Sequence, residues 1–118
     1  MKKVIIAFDC DGTLVTTDSA STGRIVANER VRSMLIAFAS MKNTQIIVWS
    51  GSGEMWARQV VRELGLTKYV DKYQAKEILG RDDAGHPVFA VPEVRPDIAI
   101  DDIQACALGK INLIVNEK

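Results

Sequence analysis

The sequence predicts an α/β fold with a mainly parallel central sheet and helices on both of its faces. Three observations point there. Residues 4–8 and 46–49 are short, continuous apolar runs, as in strands covered on both faces. Between such runs lie segments whose apolar residues recur at helical spacing. Each run stops abruptly at polar residues or glycine, where the chain must turn.

Val4-Ile5-Ile6-Ala7-Phe8 forms the first strand and ends at Asp9-Cys10-Asp11-Gly12. Residues 12–23, rich in Gly, Thr and Ser, read as a loop. Over 28–41, Val31, Met34, Leu35 and Phe38 share one helical face. Ile46-Ile47-Val48-Trp49 is the second strand, ended by Ser50-Gly51-Ser52-Gly53. Ser52 is placed to cap a helix over 53–64, on which Trp56, Val60 and Leu64 share a face. Gly65 ends that helix. Residues 69–75 read as a short third strand. The segment 77–96 holds Gly80, Asp83, Gly85, Pro87, Pro92 and Pro96, which predicts a loop with a small hairpin around Asp83-Ala84-Gly85. A fourth strand over 97–100 ends at Asp101-Asp102, a short helix covers 104–108, and 111–115 is the fifth strand.

At 118 residues the chain is expected to be a single domain over 1–118. Its 47% hydrophobic and 25% charged residues exclude disordered and fibrous classes. Fifteen Lys+Arg balance fifteen Asp+Glu, which argues against general binding to nucleic acid or to an anionic membrane. The two cysteines, Cys10 and Cys106, are too few for a disulfide scaffold and lack zinc-site spacing. The apolar run after Lys2-Lys3 stops at Asp9, short of the roughly 7–15 residues of a signal-peptide core. No stretch reaches the roughly 18 apolar residues of a membrane span. A soluble protein of the reducing cytoplasm is the expectation.

Four of the expected strands end in groups that handle phosphate or metal: Asp9 with Asp11, Ser50, Lys76, and Asp101 with Asp102. In open parallel sheets, ligands bind beyond the carboxyl ends of the strands, so these residues should converge. Carboxylates crowded on one rim repel unless a cation offsets them, and oxygen ligands select a hard ion, Mg²⁺ foremost. An ionised Asp can attack phosphorus, and a second can exchange protons with the leaving group and with water. A hydroxyl and an ammonium can hold the non-bridging oxygens. Each residue alone has a plainer reading: a loop Asp-x-Asp, a helix-capping Ser, a solvated Lys, an Asp-Asp turn. Their joint order, each at a strand end, favours chemistry. Lys76, at the end of the third strand, is preferred over Lys72 within it and Lys68 before it.

The run Val4–Val15, Val-Ile-Ile-Ala-Phe-Asp-Cys-Asp-Gly-Thr-Leu-Val, resembles the first motif of the haloacid dehalogenase superfamily. Ile46-Ile47-Val48-Trp49-Ser50-Gly51 is similar to its second motif, Lys76 to its third, and Ile98-Ala99-Ile100-Asp101-Asp102 to its fourth. The resemblance covers residues 4–115 and implies a Rossmann-like three-layer sandwich. It implies Asp9 as nucleophile and metal ligand, and Asp11 as general acid/base whose backbone carbonyl also binds the metal. It implies Ser50 and the Gly51 N–H on the phosphoryl group, and Lys76 offsetting charge there. Asp102 becomes a Mg²⁺ ligand, with Asp101 supporting it or coordinating through water. Because Asp11 is present, the resemblance points to phosphatases and phosphotransferases rather than dehalogenases.

Family members commonly carry a cap, and neither insertion point, 16–27 or 77–96, has room for a folded one. A capless phosphatase-type member is expected, cutting a phosphomonoester through an aspartyl-phosphate. Its open site admits a macromolecular phosphorylated substrate or is covered by a neighbouring subunit of a homo-oligomer. The alternatives are a phosphotransferase on the same residues and a non-catalytic phosphate- or metal-binding module. A phosphorylatable receiver fits poorly, because the Asp-x-Asp ends the first strand. Trp49, Trp56 and Cys10 read as packing residues, His86 as a surface residue, and Arg81 and Arg95 as candidate substrate contacts.

Overall fold

In a computed structural model, which describes residues 2–17, 19–92 and 95–116, the first apolar run lies at the middle of a five-stranded sheet. The chain runs through β1 (Val4–Asp9), a single helical turn α1 (Ser19–Thr22), α2 (Glu29–Ala39), β2 (Thr44–Ser50), α3 (Glu54–Glu63), β3 (Lys72–Ala75), β4 (Ile78–Arg81), β5 (Pro87–Phe89), β6 (Ile98–Asp101) and β7 (Ile111–Ile114). The sheet order is β3-β2-β1-β6-β7, and every neighbouring pair is parallel. The fold is thus a small α/β fold on a parallel sheet. β1 and β2 can be apolar on both faces because both faces are covered: Ile6, Ala7, Phe8, Ile46, Ile47, Val48 and Trp49 are all buried.

α2 forms where Val31 and Leu35, four residues apart, drive one stripe into the core. It ends at Ser40, whose hydroxyl donates to the Ile36 carbonyl at 2.8 Å. α3 buries Ala57, Val60 and Val61. The expected cap by Ser52 is corrected: the N-cap is Gly53, with no side-chain cap bond, because the Ser52 N–H is turned toward the Ser50 hydroxyl instead. Gly65, with φ of 69°, closes the helix as expected.

The layer arrangement also differs from expectation. Buried residues of α2 and α3 join one cluster with Ile6, Phe8, Ile46, Val48 and Ile100, so both helices cover the same face of the sheet. The opposite face, with Ala7, Ile47 and Trp49 buried, is packed by Ile5 and Leu108. The helix expected over 104–108 is only a 3-10 turn, Gln104–Cys106, after which Ala107 is extended. Burial of a strand face requires cover, and irregular chain supplies it here as well as a helix would. The third strand is shorter than expected: residues 67–69 curl into a 3-10 turn, closed by Tyr69 N–H to the Leu66 carbonyl at 2.9 Å. The loop expected over 12–23 contains the turn α1.

The segment 77–96 does carry the expected hairpin, within its described residues. β4 and β5 pair antiparallel as a separate two-stranded sheet. Its turn is tied by Asp82 N–H to the His86 carbonyl and by the Asp82 carboxylate, which accepts from the Ala84 and His86 N–H groups. Among the described residues no helix is long and apolar enough to cross a membrane.

Candidate functional site

Parallel register aligns the carboxyl ends of the strands. Asp9 ends β1 opposite Trp49, Ser50 ends β2 opposite Ala75, and Asp101 ends β6 beside β1. Side chains alternate along a strand, so Asp9 follows Ala7 and Asp101 follows Ala99 on the face without helices. Lys76 comes one residue after β3, and its N–H donates to the Ser50 carbonyl at 2.9 Å. That bond folds the lysine inward across the end of β2.

The lysine ammonium is buried between two carboxylates. Its Nζ donates to Asp101 Oδ2 at 2.7 Å and to Asp9 Oδ1 at 3.3 Å. It also lies over the rings of Trp49 and Phe89, 5.3 and 5.0 Å from their centroids. Lys72 and Lys68 are exposed, and Lys68 lies over the Tyr69 ring. Burial pulls the Lys76 ammonium toward neutrality, but Asp9 and Asp101 outweigh it, and its pKa rises.

The carboxylates outnumber this cation. Metal-ligating oxygens of Asp9, Asp101 and Asp102 all lie within 4.8 Å of one another. Burial first, then the Asp101 and Asp102 charges, push Asp9 up to about 8 despite the opposing pull of Lys76. Burial and the adjacent Asp101 push Asp102 up to about 6. Three carboxylates against one ammonium leave negative charge uncompensated, and all the donors are hard oxygens. The triad therefore fits a hard cation. Asp101 is the most committed member: one oxygen holds Lys76, and the other accepts from the Asp102 and Ile103 N–H groups.

The turn after β1 is built to the same end. Thr13 and Val15 N–H groups both reach the Cys10 carbonyl, and the Thr13 hydroxyl donates to Asp9 Oδ2 at 3.2 Å. Gly12 has φ of 83°, and a Cβ there would overlap the Asp102 carboxylate. Only glycine lets the turn come this close. Asp11 is half-buried beside it and lines the same cavity as Asp9.

That cavity, of about 430 Å³, is bounded by Asp9, Asp11, Ser50, Gly51, Lys76, Asp101 and Asp102, so the strand-end residues do share one space. Its outer wall is the hairpin, through Ile78, Arg81, Pro87 and Phe89. A Cβ on Gly51 would lie 3.2 Å from the Phe89 ring, so the hairpin rests directly on the second strand end. Ser50 is buried, and its Oγ accepts the Ser52 N–H at 3.0 Å, which leaves its own proton free to be donated. Sequence reasoning missed Thr13, Ile78, Pro87 and Phe89. The Thr13 spacing of four from Asp9 was the one available signal; the hairpin residues gave none.

Other side chains lie elsewhere. Cys10 is fully buried in the core, where burial and then Asp9 and Asp11 hold its thiol protonated. Trp49 is buried and Trp56 packs on the core. His86 is half-exposed at the hairpin turn, and Arg95 donates to the Gly109 carbonyl away from the cavity. Comparison of the chain with protein-family models, curated proteins and solved structures gives no match.

Proposed function

We propose that this chain is a Mg²⁺-dependent phosphatase that cleaves a phosphomonoester through an aspartyl-phosphate on Asp9. The observation that carries the reading is one cavity holding Asp9, Asp11, Ser50, Lys76, Asp101 and Asp102, brought together from four strand ends. The parallel order β3-β2-β1-β6-β7 supports a Rossmann-like reading of the sheet, with a single helical layer.

Asp9 attacks phosphorus, forming an O–P bond while the bond to the leaving oxygen breaks. Asp11 gives that oxygen its proton. Asp11 then takes a proton from water, whose oxygen attacks the aspartyl-phosphate and releases phosphate and free Asp9. The Ser50 hydroxyl, oriented by the Ser52 N–H, donates to a non-bridging oxygen. Lys76 holds Asp9 in place and offsets charge developing on the phosphoryl group. Asp9, Asp102 and the Asp11 carbonyl would hold Mg²⁺, with Asp101 alongside. When bound, the ion supplies positive charge that lets carboxylates and phosphoryl oxygens share one site. Ile78, Pro87 and Phe89 of the hairpin give the cavity an apolar wall.

The test is phosphate release from phenyl phosphate with and without Mg²⁺. Mg²⁺-dependent release that disappears in Asp9→Asn supports the reading. No release from phenyl phosphate or from a panel of sugar phosphates, nucleotides and phosphopeptides would overturn it.

A further inference from the structure

The hairpin does more than wall the cavity. Pro87 and Phe89 on β5 are two residues apart and so face the same way, into the cavity. Ile78 and Arg81 on β4 are three apart and in a regular strand would face opposite ways. Both nevertheless line the cavity, because the β4–β5 register shifts between Ile78 and Gly80. A bulge re-aims the side chains beyond it. Without the shift, Arg81 would face outward with Leu79 and Val88, both of which are exposed.

Arg81 is also an available cation. Among the described residues, Lys76 and Arg81 are the only lysine and arginine lining the cavity, and Lys76 is already held by Asp9 and Asp101. The Arg81 guanidinium donates to the Gly85 carbonyl within its own hairpin turn at 2.8 Å. It forms no ion pair with a described carboxylate; its neighbour Asp82 is occupied with the turn and with His86. The Ile78 and Phe89 rung rests on Gly51, where the phosphoryl group is proposed to bind. Phe89 and Pro87 are two residues apart on the unbulged strand, so at about 3.3 Å per residue the Arg81 rung lies roughly 7 Å further out, one small organic group away. Between them the wall is apolar, formed by Phe89 and Pro87.

We propose that Arg81 reads a second anionic group on the leaving group of the substrate, with the intervening flat or apolar part lying along Phe89 and Pro87. This rests on the phosphomonoester reading above. It narrows the substrate to phosphomonoesters with a second carboxylate or phosphate beyond the scissile bond. A guanidinium–anion hydrogen bond corresponds to about tenfold to a hundredfold in affinity or kcat/KM.

Phenyl phosphate and 4-carboxyphenyl phosphate differ only in that second anion, and a nucleoside 5′-monophosphate against its 3′,5′-bisphosphate replaces the carboxylate by phosphate. The wild type should favour the member of each pair that carries the second anionic group by about tenfold or more in kcat/KM. Arg81→Ala should remove the preference and leave phenyl phosphate within about twofold, and Arg81→Lys should keep part of it. The pair that responds identifies the second anion. Equal loss on both members, or no preference in the wild type for either pair, overturns the proposal. In parallel, binding of phenylphosphonate and 4-carboxyphenylphosphonate is measured by calorimetry. If no ester is cleaved, the hydrolase reading falls, and the two phosphonates still decide the role of Arg81.

Discussion

On one face of the sheet, Ile6, Phe8, Ile46, Val48 and Ile100 meet Val31, Leu35, Val60 and Val61 of two helices in a single buried cluster. On the other, Ala7, Ile47 and Trp49 are covered by Leu108 and irregular chain. The strand-end carboxylates Asp9 and Asp101 point to this second, thinner side by strand alternation. The helical layer holds the strands in register, and register fixes which strand ends are neighbours. The thin face is free of helices near the rim, so a buried lysine and a hairpin can lie there instead. The helix-packed core and the candidate site thus lie on opposite sides of the same strands.

The sharpest way to break this division is to remove chemistry without touching the core. Asp9→Asn should lower hydrolysis of phenyl phosphate by at least about 10³-fold. Its melting temperature near neutral pH without metal should change little, because burial and the neighbouring carboxylates raise the Asp9 pKa to about 8 and the amide replaces a largely protonated carboxyl. Adding Mg²⁺ should raise the melting temperature of the wild type more than that of the variant. Full activity in Asp9→Asn would show that the nucleophile lies elsewhere.

Lys76 tests whether the thin face also depends on its charges for stability. Lys76→Met leaves Asp9 and Asp101 buried without their ammonium. The expected cost is about 3–5 kcal/mol in denaturant unfolding. Lys76→Met/Asp101→Asn should be less destabilised than the single variant, since the pair is removed together. A single-variant cost under about 1 kcal/mol would mean that the ammonium compensates nothing.

Packing gives the next contrast. Leu35 is fully buried against the helix-covered face, and Leu35→Ala should cost about 2–5 kcal/mol. Leu108 is only half-buried over Trp49, and Leu108→Ala should cost about 1 kcal/mol. Equal costs from urea unfolding would show that the coil layer is as integral as the helical one.

These contrasts also mark what was legible in the sequence. Strands β1 and β2 were plain, because an apolar run buried on both faces has no other reading beside Asp9 and Ser50. The placing of Lys76 followed from its position just past a strand, and it is Lys76 whose ammonium reaches Asp9 and Asp101. The second layer was misread because an apolar strand face says only that something covers it, and Leu108 with a 3-10 turn suffices. Tyr69 looks like a strand residue, yet the bonds from the Tyr69 N–H to the Leu66 carbonyl and from the Val70 N–H to the Thr67 carbonyl curl residues 67–69 into a turn. The hairpin was signalled by Asp83-Ala84-Gly85, but nothing local said that Phe89 would rest on Gly51. Where a hairpin lands is a tertiary fact.

The smallest expected effect lies at the amino-terminal edge of the sheet, far from the rim. Asp97 Oδ2 accepts the Ile5 N–H at 2.8 Å, tying the segment before β6 to β1, and Lys110 lies 3.4 Å from its other oxygen. The Ile5 hydrogen bond, helped by Lys110, holds the Asp97 carboxyl below its ordinary value of 3.8. A group whose pKa is lowered by folding stabilises the fold when ionised in both states, and that contribution is lost as pH falls through the folded value. Asp97→Asn should therefore melt slightly below the wild type near neutral pH. The gap should narrow as the pH is lowered past 3.8 and close once the native carboxyl is protonated. Added salt should shrink only the Lys110 part, since the backbone bond is short-ranged. A gap that widens on acidification would mean that folding raises this pKa, and that the bond to Ile5 does not hold the charged form.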